Sequence, residues 1–440
     1  MQAHTEERFE NRSWSVFQSV AGVAPPPPLV ATRNLPTHSL TCSDVSGMLR
    51  VAGLKAPLRR KNASPALPAR EPSFTSRSLE PVRGMPDGNR ARAEEAAVVI
   101  VGSCNYDQIV YVPDFPAPGA TIYGSSYATG FGGKGANQCV MAARLGASTA
   151  MVGALGSDQI ARITRENFAA AGVNTDHLIA KEGASGVAQI CVSAKDGNNH
   201  IVLVPGANLL LSGADVSAAG TIIRNSKVVL LQNEVPPATT LAAMRAAKGG
   251  DRPASGRPPL VILNAAPAPL IGDKWQEGQW REGEMKDMLS LCDILCVNES
   301  EAEVLSGVAV GGESEDNLNA SALRAAKKLH DHFGAVCHIL ITLGGRGSCF
   351  LEWQEEALDR VYSSHRVPGP SQPVEAVDTS GAGDAYLGAF AAYLAAGHDI
   401  KAALVLAGQV ATRTVMAKGT QSSFPALESL PTELRPGHSS

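Results

Sequence analysis

The chain has 440 residues, with 38 basic and 42 acidic side chains and a formal net charge of -4. That balance gives no electrostatic case for nucleic acid or an anionic membrane as the main partner, and no window is apolar for long enough to predict a transmembrane helix. The 8 cysteines are scattered, several inside apolar runs such as ILCV, which points to buried reduced thiols and a cytoplasmic or nuclear setting; Cys292-x3-Cys296 has no second pair at zinc spacing.

Residues 1–94 stand apart as an N-terminal extension. They are rich in Pro, Ser, Ala and Arg, carry a PPPP run at 25–28 and show no sustained periodicity, so disorder is expected. Between residues 11 and 70 eight basic side chains face one acid, Asp44, the acid-poor composition of an organelle-targeting segment. Glu6, Glu7 and Glu10 argue against targeting, and Met85 offers an alternative start. A folded domain is expected over 95–430, with 431–440 as a tail.

The folded part opens with a buried strand at 96–103. A polar group, Asn105, Tyr106 and Asp107, follows its carboxyl end, where open α/β sheets bind ligands. Residues 108–130 have hairpin chemistry, as do the runs at 187–194 and 200–205 around KDGNN. Together they predict a small β lid, at about 107–130 and 186–206, projecting from the main sheet. Between them FGGKGANQ (131–138) runs into a helix. It is not a Walker A motif, because Ala128 stands where a glycine is required and Gly135 where a Ser or Thr is required. The dinucleotide spacing is absent too. What remains is a glycine hinge with Lys134 and Asn137 at a helix start.

Strands and helices then alternate: strands at 148–156, 227–232, 259–264, 292–297 and 336–344, with helices at 158–171, 237–248 and after Glu301. That order predicts βαβ units, a mostly parallel sheet and three α/β/α layers. Residues 249–258 and 270–285 are expected to be loop elaborations. The strand ends carry Glu234, Asn298 and Glu301, and the turn Thr342-Leu343-Gly344-Gly345-Arg346-Gly347.

The most informative run is DTSGAGD (378–384), followed by a small, apolar helical segment. Gly381 and Gly383 let the backbone approach a ligand, and the free N–H groups of a helix start favour an anion. An acid at the same spot, Asp384, fits a general base taking a proton from a substrate hydroxyl while the amides stabilise a phosphoryl group in transfer.

GGKGAN and DTSGAGD together resemble the two signatures of the ribokinase-like carbohydrate kinase family, and LLQNE, VNESE, TLGGRG and KGTQSS are similar to further segments of one branch. The resemblance covers about 96–430. It implies a ribokinase-like, Rossmann-type three-layer fold and ATP-dependent phosphorylation of D-ribose at O5. It further implies sugar binding by Asn105, Tyr106, Asp107, Gly133, Lys134, Gly135, Ala136, Asn137 and Glu234, with Asp384 as base and Gly381, Ala382 and Gly383 as anion hole. Nucleotide contacts are implied for Asn298, Thr342, Leu343, Gly344, Gly345, Arg346, Gly347, Gly383 and Asp384. The implied cofactors are ATP, Mg2+ held through water by Glu301, and K+ held by Asp378, Ser380, Thr414, Ala417, Gly419 and Ser423. Another small sugar or a nucleoside stays open as substrate, and a non-catalytic sugar-binding protein is the remaining alternative. A lid with open edges also predicts a homodimer.

Among residues outside the motifs, Glu299 and Glu303 are expected to be solvated helix charges. His330 and His332 are expected at the surface, and His200 and His338 to be structural.

Overall fold

The computed structural model describes residues 95–437 except 196–197, 251–255, 269–281, 313, 335–336 and 357–358. The expectations for 1–94, and most of the 270–285 elaboration, lie outside the described residues.

The elements follow one another as β1 (Val98–Val101), β2 (Asn105–Val112), β3 (Ser126–Gly132), α1 (Lys134–Arg144), β4 (Thr149–Leu155), α2 (Gln159–Ala170), β5 (Leu178–Ala180), β6 (Gly186–Ser193) and β7 (Asn199–Val204). Then come α3 (Gly213–Ala218), α4 (Gly220–Asn225), β8 (Val228–Gln232), α5 (Pro237–Lys248), β9 (Leu260–Asn264), α6 (Glu282–Leu289), β10 (Ile294–Asn298), α7 (Glu299–Ser306) and α8 (Glu315–Phe333). The chain continues with β11 (His338–Thr342), β12 (Gly347–Glu356), β13 (Asp359–Pro368), α9 (Ala382–Ala396) and α10 (Ile400–Thr414).

The main sheet has the order β13-β12-β11-β10-β9-β8-β1-β4-β5. It is parallel from β5 to β11, and β12 and β13 extend it antiparallel. Its central strands, such as VVIV and VVLLQ, are apolar without alternation because both faces are covered. Successive residues go to opposite layers. Val99, Val101, Val229 and Leu231 pack with α3 to α8, whereas Val98, Ile100, Val228 and Leu230 pack with α1, α2, α9 and α10.

The lid is a separate four-stranded sheet, β3-β2-β6-β7. The predicted lid is therefore present, but its first strand starts earlier, at Asn105, directly after the Gly102-Ser103-Cys104 link from β1. The short elements β5, α3 and α4 and the ten-residue β13 were not foreseen from sequence, and α6 begins at Glu282, inside the 270–285 stretch expected to be a loop. His330 corrects another expectation: it is buried, with its Nε2 2.5 Å from the Cys337 carbonyl oxygen. It sits four residues from Ala326, Ala322 and Leu318 in turn, on the buried stripe of α8.

Candidate active site

Parallel register aligns the carboxyl ends of the strands. Gln232 of β8 pairs with Asn264 of β9, and Asn298 of β10 with Thr342 of β11. The polar residues at those ends consequently share one edge of the sheet, where α1 and α9 also begin.

α1 packs its first turn directly onto the end of β1. A Cβ at Gly133 would lie 2.7 Å from the Asn105 nitrogen, and one at Gly135 2.7 Å from the Ser103 nitrogen. Gly133 also has φ 85°, so the glycine hinge serves both close approach and a left-handed turn. No side chain of Gly133 can cap the helix; Glu234, two residues past the end of β8, does so, its Oε2 accepting from the Lys134 N–H at 3.0 Å and from the Ser103 hydroxyl at 2.5 Å.

On β2, Asn105 and Asp107 share one face. Asn208 holds Asn105, its Nδ2 donating to Asn105 Oδ1 at 2.8 Å while its Oδ1 accepts from the Cys104 N–H at 2.8 Å. Asp107 lies over Gly132, where a Cβ would come within 2.4 Å of both carboxylate oxygens. Burial pushes the Asp107 carboxyl up to about 6, with the nearby Glu234 and Asp384 carboxylates adding to the effect. Tyr106 takes the opposite face and packs edge-on against Phe131 at 5.8 Å, so its side chain is not brought together with Asn105 and Asp107.

Asp384 stands in the first turn of α9. Its Oδ2 accepts from Asn137 Nδ2 at 2.8 Å and its Oδ1 from Gln138 Nε2 at 2.9 Å. α1 and α9 approach this closely because Gly388 has no side chain; a Cβ there would be 2.4 Å from the Gln138 carbonyl oxygen. Gly381 caps α9 with φ 74°. The Ala382 N–H already donates to the Thr379 carbonyl at 3.2 Å. Among the described residues the N–H groups of Gly383 and Asp384 have no acceptor, and a Cβ at Gly383 would meet only open space. The unclaimed N–H donors of this turn are thus at 383–384, and the Ala382 N–H serves the turn itself.

Lys134 ties these groups into one electrostatic cluster. Burial alone would lower its pKa, but Asp384, Glu234 and Glu301 outweigh it and hold the ammonium above its ordinary value.

At the end of β10, Asn298 and Glu301 form a capping box for α7. Asn298 Oδ1 accepts from the Glu301 N–H at 2.8 Å, and Glu301 Oε2 accepts from the Asn298 N–H at 2.9 Å. This pair has a folding role whatever else it does, and one oxygen of Glu301 remains outside the box. Burial raises the Glu301 pKa, opposed by the Asn298 N–H and by Lys134. The turn after β11 needs glycine at 344 and 347, with φ 54° and 92°. Leu343 is buried in the core, so only its backbone can face a nucleotide. Arg346 is ion-paired with Glu299, and Glu299 is therefore not a free solvated charge.

Asp378 clamps two loops. Its Oδ1 accepts from the Ser380 N–H and its Oδ2 from the Gly419 N–H, each at 2.9 Å. Burial would raise its carboxyl, but these donors hold it below the ordinary range. The N–H groups of Val377 and Asp378 both donate to the Val415 carbonyl, so the 378–380 and 414–423 backbones run side by side. These loops carry Asp378, Ser380, Thr414, Ala417, Gly419 and Ser423, the residues expected from sequence to hold a monovalent cation; Ser423 donates its hydroxyl to the Thr420 carbonyl at 2.8 Å. Among the described residues no group of three His, Cys, Asp or Glu side chains is placed to hold a metal ion.

Sequence reading missed Ser103, Gln138, Asn208, Gln232, Asn264 and Gln421, all buried and polar. The available signal was a polar residue at the end of an apolar strand, as in VVLLQ and LVILN, or adjacent to a motif, as with Gln138.

Fold and site together define a kinase of the three-layer α/β kind with a small β lid. The chain belongs to the pfkB family of carbohydrate kinases, whose family model matches residues 95–427. It is 37% identical over 344 residues to the ribokinase of Mus musculus, covering 78% of this chain and 95% of that one. It is 34% identical over 332 residues to the deoxyribokinase of Salmonella typhi, covering 75% and 96%. Among solved structures it resembles Arabidopsis thaliana ribokinase complexed with ribose and ATP, with a TM-score of 0.60, 27% identity and coverage of 78% and 99%.

Proposed function

We propose that the chain transfers the γ-phosphoryl group of ATP to O5 of D-ribose. Asp384 takes the O5 proton, O5 bonds to the γ-phosphorus, and the bond from that phosphorus to the β–γ bridging oxygen breaks to release ADP. The observation that carries this reading is Asp384 itself: a carboxylate fixed by two amides, in one cluster with Lys134, Asp107 and Glu234, beside unclaimed backbone N–H groups. Asp107, Asn105 and the second oxygen of Glu234 suit vicinal hydroxyls, which carboxylates and amides accept and donate to. The ribokinase relatives support ribose and ATP as the substrates. The 34% identity to a deoxyribokinase keeps deoxyribose as the second reading.

Glu301, with its remaining oxygen, would hold Mg2+ through water, and the 344–347 turn would carry the nucleotide. Bound magnesium would neutralise phosphate charge. The Asp378-clamped loops would hold K+ next to the anion-binding turn. The lid edge, with Ile201, Val202, Leu203 and Val204 exposed on β7, would pair with a second copy of the chain. Among the described residues the seven cysteines are free, and six of them are buried, which supports a reducing, cytoplasmic setting. No described helix is long and apolar enough to cross a membrane.

The test is ADP release with a panel of sugars, with and without potassium. Ribose giving the highest kcat/KM supports the reading; deoxyribose or a nucleoside exceeding it overturns the substrate assignment.

A further inference from the structure

The geometry points to Gln138 and Gln421 as positioning residues that fix the Asp384 carboxylate through two buried amide arms, without touching substrate. The inference rests on the reading of Asp384 as the base. Gln138 is 0% exposed and Gln421 4%, so a ligand entering from solvent does not reach either side chain.

In the first arm Asn264 Nδ2 donates to the Cys296 carbonyl at 3.4 Å, which leaves Asn264 Oδ1 to accept from Gln138 Nε2 at 3.2 Å. Gln138 Nε2 also donates to Asp384 Oδ1 at 2.9 Å, and Gln138 Oε1 accepts from Gln232 Nε2 at 2.6 Å. Gln232 fits only because Gly102 has no side chain; a Cβ there would lie 1.9 Å from Gln232 Oε1. In the second arm Asn167 Nδ2 donates to Gln421 Oε1 at 2.8 Å, Gln421 Nε2 to Asn137 Oδ1 at 3.0 Å, and Asn137 Nδ2 to Asp384 Oδ2 at 2.8 Å.

Both arms run inward, and each ends on a different oxygen of Asp384. The polarity of the first is anchored by a backbone carbonyl, which can only accept. Neutral amides deliver both donors, so the hydrogen bonds that orient the carboxylate add no further charge to its cluster with Lys134, Asp107 and Glu234. The second arm has a further consequence. Gln421 belongs to the loop that Asp378 clamps, and Arg144 grips the same loop through the Gln421 and Phe424 carbonyls at 2.7 and 2.6 Å. The loop's placement is thereby tied to the base through Asn137. Asn137 is left with one N–H for a sugar, because its oxygen is taken.

The test uses full-length Gln138→Met, Gln421→Met, Gln232→Met and Gln232→Glu, checked for folding by circular dichroism and compared with Asp384→Asn. For Gln138→Met we expect kcat to fall by about 10- to 100-fold while the ribose KM changes less than about threefold, and for Gln421→Met a fall of about 5- to 10-fold. Polarity gives the readout that a merely structural role would not move. Gln232→Glu demands a donor, so Gln138 turns its Nε2 outward and its oxygen toward Asp384; kcat then falls further than in Gln232→Met. Wild-type kcat in Gln138→Met, a loss confined to KM, or Gln232→Glu as active as Gln232→Met overturns the inference. Should Gln138→Met not fold, the Gln232 pair decides alone. Turnover retained by Asp384→Asn would instead remove the base reading, whereas an inert Asp384→Asn beside fully active Gln138→Met and Gln232→Glu would remove only the relay.

Discussion

The floor of the cleft, where α1 meets α9, and the lid sheet differ in how their polar groups are satisfied. On the floor, Asn137, Gln138, Gln421 and Asp384 are buried, and each has a partner from a different segment of the chain. Leaving one such group unpaired costs about 1–3 kcal/mol, so the floor has few alternative arrangements. In the lid, all six residues of β7 are exposed, with Val202 at 64%, and its far edge has no neighbouring strand among the described residues. The lid brings Asp107 to the cleft, but the backbone beyond it is left to meet solvent or another surface. On the proposed reading the base belongs to the hydrogen-bonded floor, and the sugar-binding residues are shared between floor and lid.

The most severe way to break this contrast is at Gly388, the contact that lets α9 sit on α1. Gly388→Val should push Asp384 away from Asn137 and Gln138, lowering kcat by more than about 100-fold and stability by about 1–3 kcal/mol; steady-state kinetics with thermal melting checks both. Next is the loop clamp. Asp378→Ala removes the acceptor for the Ser380 and Gly419 N–H groups, and potassium activation should drop by about 5- to 100-fold, read as the ratio of rates with and without the ion. The lid's contribution is sharpened by pH. The Asp107 carboxyl, raised to about 6 by burial and by Glu234 and Asp384, takes up a proton as pH falls through that value, losing its charge and turning one of its two acceptor oxygens into a donor. The ribose KM should rise by about tenfold per pH unit below 6, and Asp107→Asn should abolish that dependence at a uniformly high KM. Smallest is the β7 edge. If the β7 edge pairs two copies as proposed, wild type should scatter light as a dimer and Ile201→Ser with Val202→Ser as a monomer, with kcat per site within about twofold.

Those residues were legible in sequence to very different degrees. Asp384, Lys134, Asn137, Asp107 and Glu234 could be picked because each lies in a short glycine-bearing motif or at the end of an apolar strand. The three layers and the lid were legible from the alternation of buried strands with helices and from the hairpin signals. Gln138, Gln232 and Gln421 were not, because their partners are 246, 94 and 284 positions away and nothing local distinguishes a buried amide from a solvated one. Tyr106 shows the converse. Adjacency in the motif grouped it with Asn105 and Asp107, but the period of two in β2 turns its ring to Phe131. Asn298 and Glu301 show a motif with a local folding reason, the capping box, that sequence spacing alone could not separate from a ligand role. β5, with three residues, and α3 and α4, with six each, are too short for periodicity to declare them.

The central claim is that Asp384 removes the sugar proton from a position fixed by its amide neighbours. The most direct measurement is single-turnover phosphoryl transfer by Asp384→Asn, alongside ribose binding by calorimetry. The account predicts a transfer rate at least about 100-fold lower with the ribose Kd within about threefold of wild type. Transfer at the wild-type rate would contradict it.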